Sequence, residues 1–274
     1  MGRVVSLANL TSIGIGGEAE VEEVRSVREI VKATATGGWF VLGRGTNVLF
    51  SDYGLSERVI LNRLSTITFD GTRVYADGGV GLVTLCSSCA ERSLGGLEWA
   101  CGIPGSVGGA IRMNAGAFGG SIAGTVDFVD VFRNGEIVRL GMRDCGFGYR
   151  TSGFTDRDFI AGAGFVLSRR DRSAMLAEMR GYCARRAGTQ PKGRSAGSTY
   201  KRADKPAGWY IERAGLKGLR RGGAVVSEKH ANFILNDGTA TAADVISLMT
   251  EIERRVYETF GVALEREIKL VGEF

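Results

Sequence analysis

The glycine-rich stretch from Gly102 to Gly120 restricts the fold of this chain more than any other segment. It reads Gly-Ile-Pro-Gly-Ser-Val-Gly-Gly-Ala-Ile-Arg-Met-Asn-Ala-Gly-Ala-Phe-Gly-Gly, and seven of its nineteen positions are glycine. Glycine lets the backbone adopt positive φ and approach a ligand closely, with N–H groups free to point at anionic oxygens. The stretch therefore predicts either a loop that binds a dinucleotide pyrophosphate or a series of turns between strands.

A second glycine turn, Gly43-Arg44-Gly45-Thr46-Asn47, lies upstream and runs directly into an apolar segment at 48–50. The dinucleotide fingerprint of doubly wound sheets does not fit, because its third glycine would fall at Val48 and no amphipathic helix follows. A Walker A loop is excluded as well, since the chain contains no Gly-Lys-Ser/Thr. The turn remains a candidate phosphate site in which Thr46 and Asn47 supply hydrogen bonds.

Composition places the chain among ordinary globular proteins. Its 274 residues are 44% apolar and 24% charged, and no apolar run approaches eighteen residues. An odd number of cysteines, five, is typical of a reduced cytoplasmic protein rather than of a disulfide scaffold. The N-terminal residues do not resemble an export signal. We therefore expect a cytoplasmic protein that does not associate with a membrane.

Charge and histidine content narrow the possible functions further. His230 is the only histidine, which argues against a multi-histidine metal site and a Ser-His-Asp triad, so we expect no metal. A net charge of +5 suits phosphorylated small molecules, whereas the scattered Lys and Arg residues argue against nucleic acid. Most of the arginines in the pairs at 169–170, 185–186 and 220–221 are interpreted as solvated surface.

Hydrophobic periodicity and turn signals divide the chain into three parts. Residues 1–64 are typical of a small α/β unit, with a strand at 21–24, a helix at 27–34 and a strand at 39–42. Residues 65–171 contain short strands with Asp70-Gly71 and Asn134-Gly135 hairpin turns, and one helix at 82–92. Residues 172–274 contain helices at 172–187, 209–213 and 241–260, the last with one apolar stripe and Gly261 as its stop.

These segments together resemble the UDP-N-acetylenolpyruvoylglucosamine reductase family, the flavoenzymes of bacterial peptidoglycan synthesis, over nearly the whole chain. The tyrosine-bearing insertion of the longer, first type finds no room between Ile160 and Gln190, so the chain is similar to the shorter, second type. The matching motifs are Ile15-Gly16-Gly17-Glu18-Ala19, Gly43 to Asn47, Gly96-Leu97-Glu98, 102–110, 112–117, Phe147 to Ser152, Gln190-Pro191, Ser195 to Ser198, 214–218, Ser227 to Ala231 and 264–268.

The resemblance implies an α+β fold, with a two-domain FAD-binding scaffold of the vanillyl-alcohol-oxidase type and a C-terminal α+β substrate domain. It implies noncovalent FAD, NADPH as co-substrate, and reduction of UDP-N-acetylglucosamine enolpyruvate to UDP-N-acetylmuramate. The domains would be 1–64 and 65–171 for FAD and 172–274 for the UDP-sugar. The implied FAD-binding residues are Gly43, Arg44, Gly45, Thr46, Asn47, Gly102, Ile103, Pro104, Gly105, Ser106, Gly108, Gly109, Ala110 and Asn114.

By the same resemblance, Ser198 is the proton donor, while Arg150 and Glu267 hold and polarise the substrate carboxylate. Arg202, Lys217 and His230 would contact the sugar or its phosphates. Two other readings stay open: a different FAD-dependent oxidoreductase on the same scaffold, and a binding protein that holds a flavin or nucleotide sugar without turnover. Without the resemblance, the sequence favours a turn residue at Ser198 and surface charges at Arg150 and Glu267, and the resemblance reverses all three interpretations.

Overall fold

The computed structural model describes residues 2–274, which form six α-helices and a series of mostly short strands. The helices are α1 (Val27–Thr34), α2 (Leu82–Glu91), α3 (Val107–Arg112), α4 (Arg172–Thr189), α5 (Ala207–Arg213) and α6 (Ala242–Phe260). The strands are β1 (Arg3–Ser6), β2 (Glu18–Val24), β3 (Trp39–Leu42), β4 (Val48–Phe50), β5 (Arg58–Asn62), β6 (Ile67–Asp70), β7 (Arg73–Asp77), β8 (Leu94–Gly95), β9 (Gly116–Ala117), β10 (Gly120–Ser121), β11 (Val126–Arg133), β12 (Glu136–Gly141), β13 (Phe159–Val166), β14 (Ser168–Arg169), β15 (Arg220–Arg221), β16 (Ala224–Val226), β17 (Ile234–Asn236) and β18 (Lys269–Val271).

The chain folds into two compact units. Unit 1 contains Val21–Arg44 and Glu57–Arg186. Unit 2 contains Arg3–Glu20, Gly45–Ser56 and Ala187–Phe274. The predicted boundaries near residues 64 and 171 both fall inside unit 1. The division into three domains therefore stays a prediction, and the two units are described separately below.

Unit 1 begins with a small parallel sheet, in which β5 pairs with Val21–Val24 of β2 on one side and with β3 on the other. Helix α1 starts where the Ser26 hydroxyl accepts the Glu29 N–H, a normal N-cap. Its Ile30 is fully buried and packs with Val24 and Ile60 of the sheet. The strands and helix predicted between residues 21 and 42 are therefore confirmed.

The larger sheet of unit 1 is antiparallel, with strand order β12-β11-β13-β7-β6. Both predicted hairpins are present, because Asp70 pairs with Arg73 and Arg133 pairs with Glu136 across their turns. Asn134 and Gly135 have φ of +53° and +91°, the left-handed conformation that a two-residue hairpin turn requires. The apolar core of this sheet also contains the predicted helix, found as α2, and α3.

Unit 2 is built around the long helix α6, whose apolar stripe is buried as predicted. The helix begins at a capping box between Thr241 and Asp244 and ends at Gly261, which has φ of +69°. Strands β16 and β17 and helix α5 share its hydrophobic core, and β15 extends the antiparallel sheet in the order β15-β16-β17. A separate parallel pair joins β4 to β18, with Val48 opposite Lys269.

Candidate active site

Within unit 1, the two glycine-rich segments expected to bind the flavin lie against each other. A Cβ atom built at Gly43 would lie 2.4 Å from Oγ of Ser106. That hydroxyl accepts the N–H of Gly109 at 3.3 Å and so caps α3. Any larger residue at 43 would push the hydroxyl out of its capping position, so glycine is needed here for contact between the two segments.

The N–H groups at the start of α3 are already used inside the protein. Val107 donates to the Val80 carbonyl at 2.8 Å, and Gly108 donates to the Gly78 carbonyl at 2.7 Å. Because Gly109 donates to Ser106, the expectation of free donors is wrong for 107–109. Gly108 instead permits close packing, since a Cβ there would lie 3.1 Å from the Gly78 oxygen.

The start of α2, beside the start of α3, is positively charged because the Arg44 side chain lies next to the N-terminus of the helix. Gly81 is the N-cap of this helix and faces Ser106 in an antiparallel bridge. Hydrogen bonds from Leu82 and Val107 flank the bridge, so the N–H groups of Gly81 and Ser106 point away from the pairing. Nη1 of Arg44 lies 3.3 Å from the Cβ position of Gly81. Sequence reasoning missed Gly81, although three glycines at 78–81 before a predicted helix were a visible signal.

Arg150 lies in a strained two-residue turn of unit 1. Gly148 and Thr151 exchange backbone hydrogen bonds, and Arg150 between them has φ of +55°, a conformation that favours glycine. The turn is tied to the glycine-rich stretch, because Nδ2 of Asn114 donates to the Gly148 carbonyl at 2.8 Å. Such strain in a residue other than glycine is commonest at functional sites.

Arg186, in the last turns of α4, is a further candidate in unit 1, and it belongs to one of the arginine pairs that the sequence interpretation placed mostly on the solvated surface. Among residues 2–274, Nε and Nη2 of its guanidinium are buried without a hydrogen-bond partner. Burial is the largest cause that lowers its pKa, and the nearby positive charge of Arg150 lowers it further. Arg186 is therefore an exception to the prediction that most of the paired arginines are solvated surface. Two adjacent guanidinium groups, one with unused donors, favour an anionic ligand.

Unit 2 brings Ser198 and Glu267 onto neighbouring backbone segments. The Glu267 N–H donates to the Thr199 carbonyl at 2.8 Å. On its other side, Nδ2 of Asn47 donates to the Glu267 carbonyl at 3.0 Å. A Cβ at Gly197 would lie 3.8 Å from the Thr46 carbonyl, so the end of the second glycine turn adjoins the serine segment, residues 197–200. The segments that contain Asn47, Ser198 and Glu267, which are far apart in sequence, therefore lie next to one another in unit 2.

Asn232 holds the serine segment in position. Its backbone carbonyl accepts the Thr199 N–H at 2.8 Å. Its side chain accepts the Tyr200 N–H at 3.0 Å and donates to the Tyr200 carbonyl at 2.8 Å. Tyr200 is 1% exposed, and its hydroxyl donates to the Met249 carbonyl of α6. Ser198 therefore sits at the half-buried end of a rigid segment, a placement that suits a positioned proton donor better than a mobile turn.

The residues expected to contact the sugar or its phosphates have different surroundings. Lys217 pairs with Glu212 at 2.7 Å, which partly satisfies its charge. His230 is half-buried, and burial is the main cause that lowers its pKa, with the Lys217 charge contributing. Its Nδ1 accepts the Asn232 N–H at 3.2 Å, which leaves Nε2 as the protonated nitrogen of the neutral ring. Arg202 is exposed.

Two further features of residues 2–274 bear on the class of protein. No helix in this part of the chain is both long enough and apolar enough to span a bilayer. No group of three or more His, Cys, Asp or Glu side chains within the same residues could hold a metal ion.

Comparison with known proteins matches two parts of the chain to described families. Residues 17–141 match the family described as the FAD binding domain, and residues 190–271 match the C-terminal domain of UDP-N-acetylenolpyruvoylglucosamine reductase. The UDP-N-acetylenolpyruvoylglucosamine reductase of Geobacter metallireducens is 39% identical over 97% of this chain and 92% of its own length. That of Thermotoga maritima is 41% identical over 95% of both chains.

A solved structure gives the same result for the fold. The crystal structure of UDP-N-acetylenolpyruvylglucosamine reductase from Thermus caldophilus superposes with a TM-score of 0.89 at 37% identity, covering 99% of this chain and 100% of that one. The fold and the FAD-binding match define an FAD-dependent oxidoreductase, which confirms the expected scaffold and cofactor. The chain belongs to the UDP-N-acetylenolpyruvoylglucosamine reductase family.

Proposed function

We propose that this protein reduces the enolpyruvyl ether of UDP-N-acetylglucosamine enolpyruvate to UDP-N-acetylmuramate, with NADPH as the source of hydride. The observation that carries the proposal is the meeting of Ser198, Glu267 and the end of the second glycine turn within unit 2. Reduction of an enolpyruvyl ether needs an acid at one carbon and charge control at the carboxylate, and these residue types supply both.

The residues of unit 1 fit an FAD pyrophosphate at the start of α2. Arg44 supplies a cation, and the N–H groups of Gly81 and Ser106 supply donors beside the positive end of the helix. FAD held there would supply hydride transfer from NADPH to the methylene carbon of the substrate. The remaining FAD-binding residues named from the sequence, including Gly45 to Asn47, stay predictions.

The carboxylate of the substrate would be held by arginine side chains. Arg150 offers a planar fork that can grip both carboxylate oxygens. Arg186 lies within electrostatic range of Arg150 and has buried donors without a partner, so an anion beside Arg186 would satisfy those donors and lower the repulsion between the two cations. We therefore add Arg186 to Arg150 as a cation that stabilises the charge building up on the carboxylate.

Ser198 would donate the proton and Glu267 would polarise the carboxylate. A serine hydroxyl is a weak acid, and the alkoxide left after donation must regain a proton from solvent. A half-buried position permits this exchange, whereas a sealed one does not. Glu267 faces a carboxylate that gains negative charge, so it must act protonated or beside compensating cations.

Arg202, Lys217 and His230 would bind the nucleotide sugar. Lys217 is already paired with Glu212, so it would have to exchange that partner for a phosphate oxygen. The neutral His230 ring can donate a hydrogen bond from Nε2 to the sugar or a phosphate. We also propose a cytoplasmic location, where NADPH and nucleotide sugars are made, which fractionation of cells expressing the tagged chain would test.

An anaerobic absorbance experiment tests the proposal. Purified protein should be yellow, should lose its flavin absorbance with NADPH, and should recover it only when UDP-N-acetylglucosamine enolpyruvate is added. Bleaching without recovery would indicate a different FAD-dependent oxidoreductase. Failure to bleach with either NADPH or NADH, in a protein that retains its flavin, would indicate a binding protein without turnover.

A further inference from the structure

Two cysteine thiols of unit 1 lie side by side without being bonded. Sγ of Cys183, on α4, lies 3.2 Å from Sγ of Cys101 and donates a hydrogen bond to it. The Cys101 thiol in turn donates to the Met179 carbonyl, one turn earlier on the same helix. The two residues are 82 positions apart in sequence, so the fold itself creates the pair.

The two thiols differ in their access to solvent. Cys183 is exposed, whereas Cys101 is only 3% exposed. Burial is the main cause that raises the pKa of Cys101 to about 12, and the hydrogen bond from Cys183 adds to it. Because Cys183 is the exposed one, an oxidant reaches it first, while the neighbouring Cys101 remains a reduced thiol. The Arg186 charge lies near both sulfurs and opposes part of the rise in the pKa of Cys101 that burial causes.

We propose that Cys101 and Cys183 form an oxidative modification site, in which hydrogen peroxide converts the pair to a disulfide. Peroxide first oxidises the Cys183 thiol to a sulfenic acid and is reduced to water. The Cys101 sulfur then attacks the sulfenic sulfur, its proton leaves with the hydroxyl group as a second water, and the S–S bond forms. The pair loses two electrons and two hydrogens, and one peroxide becomes two waters.

The bond fits the local structure with little movement. A disulfide requires a sulfur separation of about 2.05 Å, so the sulfurs must approach by roughly 1 Å. Cys101 directly precedes Gly102, and a Cβ at Gly102 would lie 3.1 Å from Cδ of Arg186. The disulfide would therefore fasten α4 to the start of the glycine-rich stretch. It would also capture the sulfenic acid before further oxidation to the irreversible sulfinic and sulfonic acids.

The other cysteines supply matched controls. Cys86 and Cys89 are buried, and burial is the main cause that raises the pKa of each to about 12. Cys145 is buried as well, and its pKa is raised to about 11. We expect all three to remain reduced under conditions that oxidise the pair.

The test is peroxide treatment of the reduced, flavin-containing protein, followed by thiol alkylation, intact mass and peptide mapping. The wild-type chain should lose the mass of two hydrogens, with Cys101 and Cys183 peptides joined and the change reversed by dithiothreitol. Cys89→Ala should behave in the same way. Cys101→Ala should instead add oxygen atoms at Cys183, and Cys183→Ser should leave Cys101 reduced. The oxidised wild type should also melt higher by about 10 °C, because the bond closes a long loop.

Several outcomes would overturn the proposal. These are a wild-type chain that gains oxygen at Cys183 without forming the link, a link that joins other cysteines, or equal oxygen addition at Cys183 with and without Cys101. Flavin absorbance of each variant before treatment establishes that it is folded. If Cys101→Ala fails to fold, the comparison of the wild type with Cys183→Ser still tests the proposal. The wild-type mass and the mapped disulfide require neither an activity measurement nor the Cys101→Ala variant.

Discussion

Replacement of Arg150 by glycine should change the free energy of unfolding very little but strongly slow the reduction of the substrate. Arg150 has φ of +55°, a conformation that costs a residue with a Cβ roughly 1–2 kcal/mol and costs glycine little. Glycine also increases the conformational entropy of the unfolded chain, which destabilises the folded protein by about 0.5–1 kcal/mol. The contact between Arg150 and the Tyr149 ring is worth about 0.5–1 kcal/mol, because the ring is exposed. The terms nearly cancel, so the free energy of unfolding should stay within about 1 kcal/mol of the wild type.

The effect on the reaction should be far larger. Each hydrogen bond to a charged partner contributes about 1.5–3 kcal/mol, so loss of a two-pronged grip on the carboxylate costs roughly 3–6 kcal/mol. That corresponds to a rate lower by about a hundred-fold to ten-thousand-fold. Arg150→Lys should also be strongly impaired, because an ammonium cannot form the planar fork. Arg150→Ala should be less stable than Arg150→Gly, since alanine retains the strained φ.

Thermal unfolding and anaerobic stopped-flow absorbance measure the two effects separately. Reduction of the flavin by NADPH should be nearly normal in the glycine variant, and only reoxidation by the enolpyruvyl substrate should collapse. The reasoning fails if the glycine variant unfolds several degrees below the alanine variant. It also fails if reoxidation at saturating substrate slows by less than about tenfold.

Four further predictions follow from the same structure. Ser198→Ala should leave flavin reduction by NADPH nearly unchanged and slow reoxidation by about a hundred-fold or more, whereas equal losses in both half-reactions would make Ser198 structural. Glu267→Gln should retain clearly more activity than Glu267→Ala, because it keeps a hydrogen-bond donor; equally inactive variants that still bind substrate would mean that Glu267 acts through its charge. Burial lowers the pKa of His230, so the unfolded chain binds a proton at this residue more readily than the folded one, and stability should fall as pH drops below 6.5. His230→Gln should flatten that part of the plot of melting temperature against pH. A plot that is unchanged in the variant would contradict the assignment. FAD should leave the denatured chain completely, since Gly43 to Asn47 and Gly102 to Ala110 contain no cysteine or histidine, and flavin retained on the unfolded polypeptide would refute noncovalent binding.

Local signals in the sequence predicted local structure well. The hairpins at Asp70-Gly71 and Asn134-Gly135 depend on turn residues with a positive φ, and both formed as expected. The apolar stripe of α6 and its Gly261 stop likewise depend on residues close together in the chain.

Features that depend on distant residues could not be predicted in the same way. Helix α3 lies inside the glycine-rich stretch, where helix propensity is low. It forms because Ser106 caps it and because Val107 and Gly108 donate to carbonyls of the preceding loop. Arg186 could not be singled out for a similar reason, since two adjacent arginines usually indicate surface and only the fold shows that two nitrogens of one guanidinium are buried.

The parallel pairing of β4 with β18 has a consequence for the order in which the protein is made. Asn47 emerges from the ribosome 220 residues ahead of Glu267, its hydrogen-bonding partner. During that interval Val48–Phe50 is an apolar segment without its neighbouring strand, and long-range parallel pairing is intrinsically slow. Unit 2 therefore cannot be completed until synthesis has passed Val271. Until then, its apolar segments near the N-terminus depend on other contacts or on chaperones for protection from aggregation.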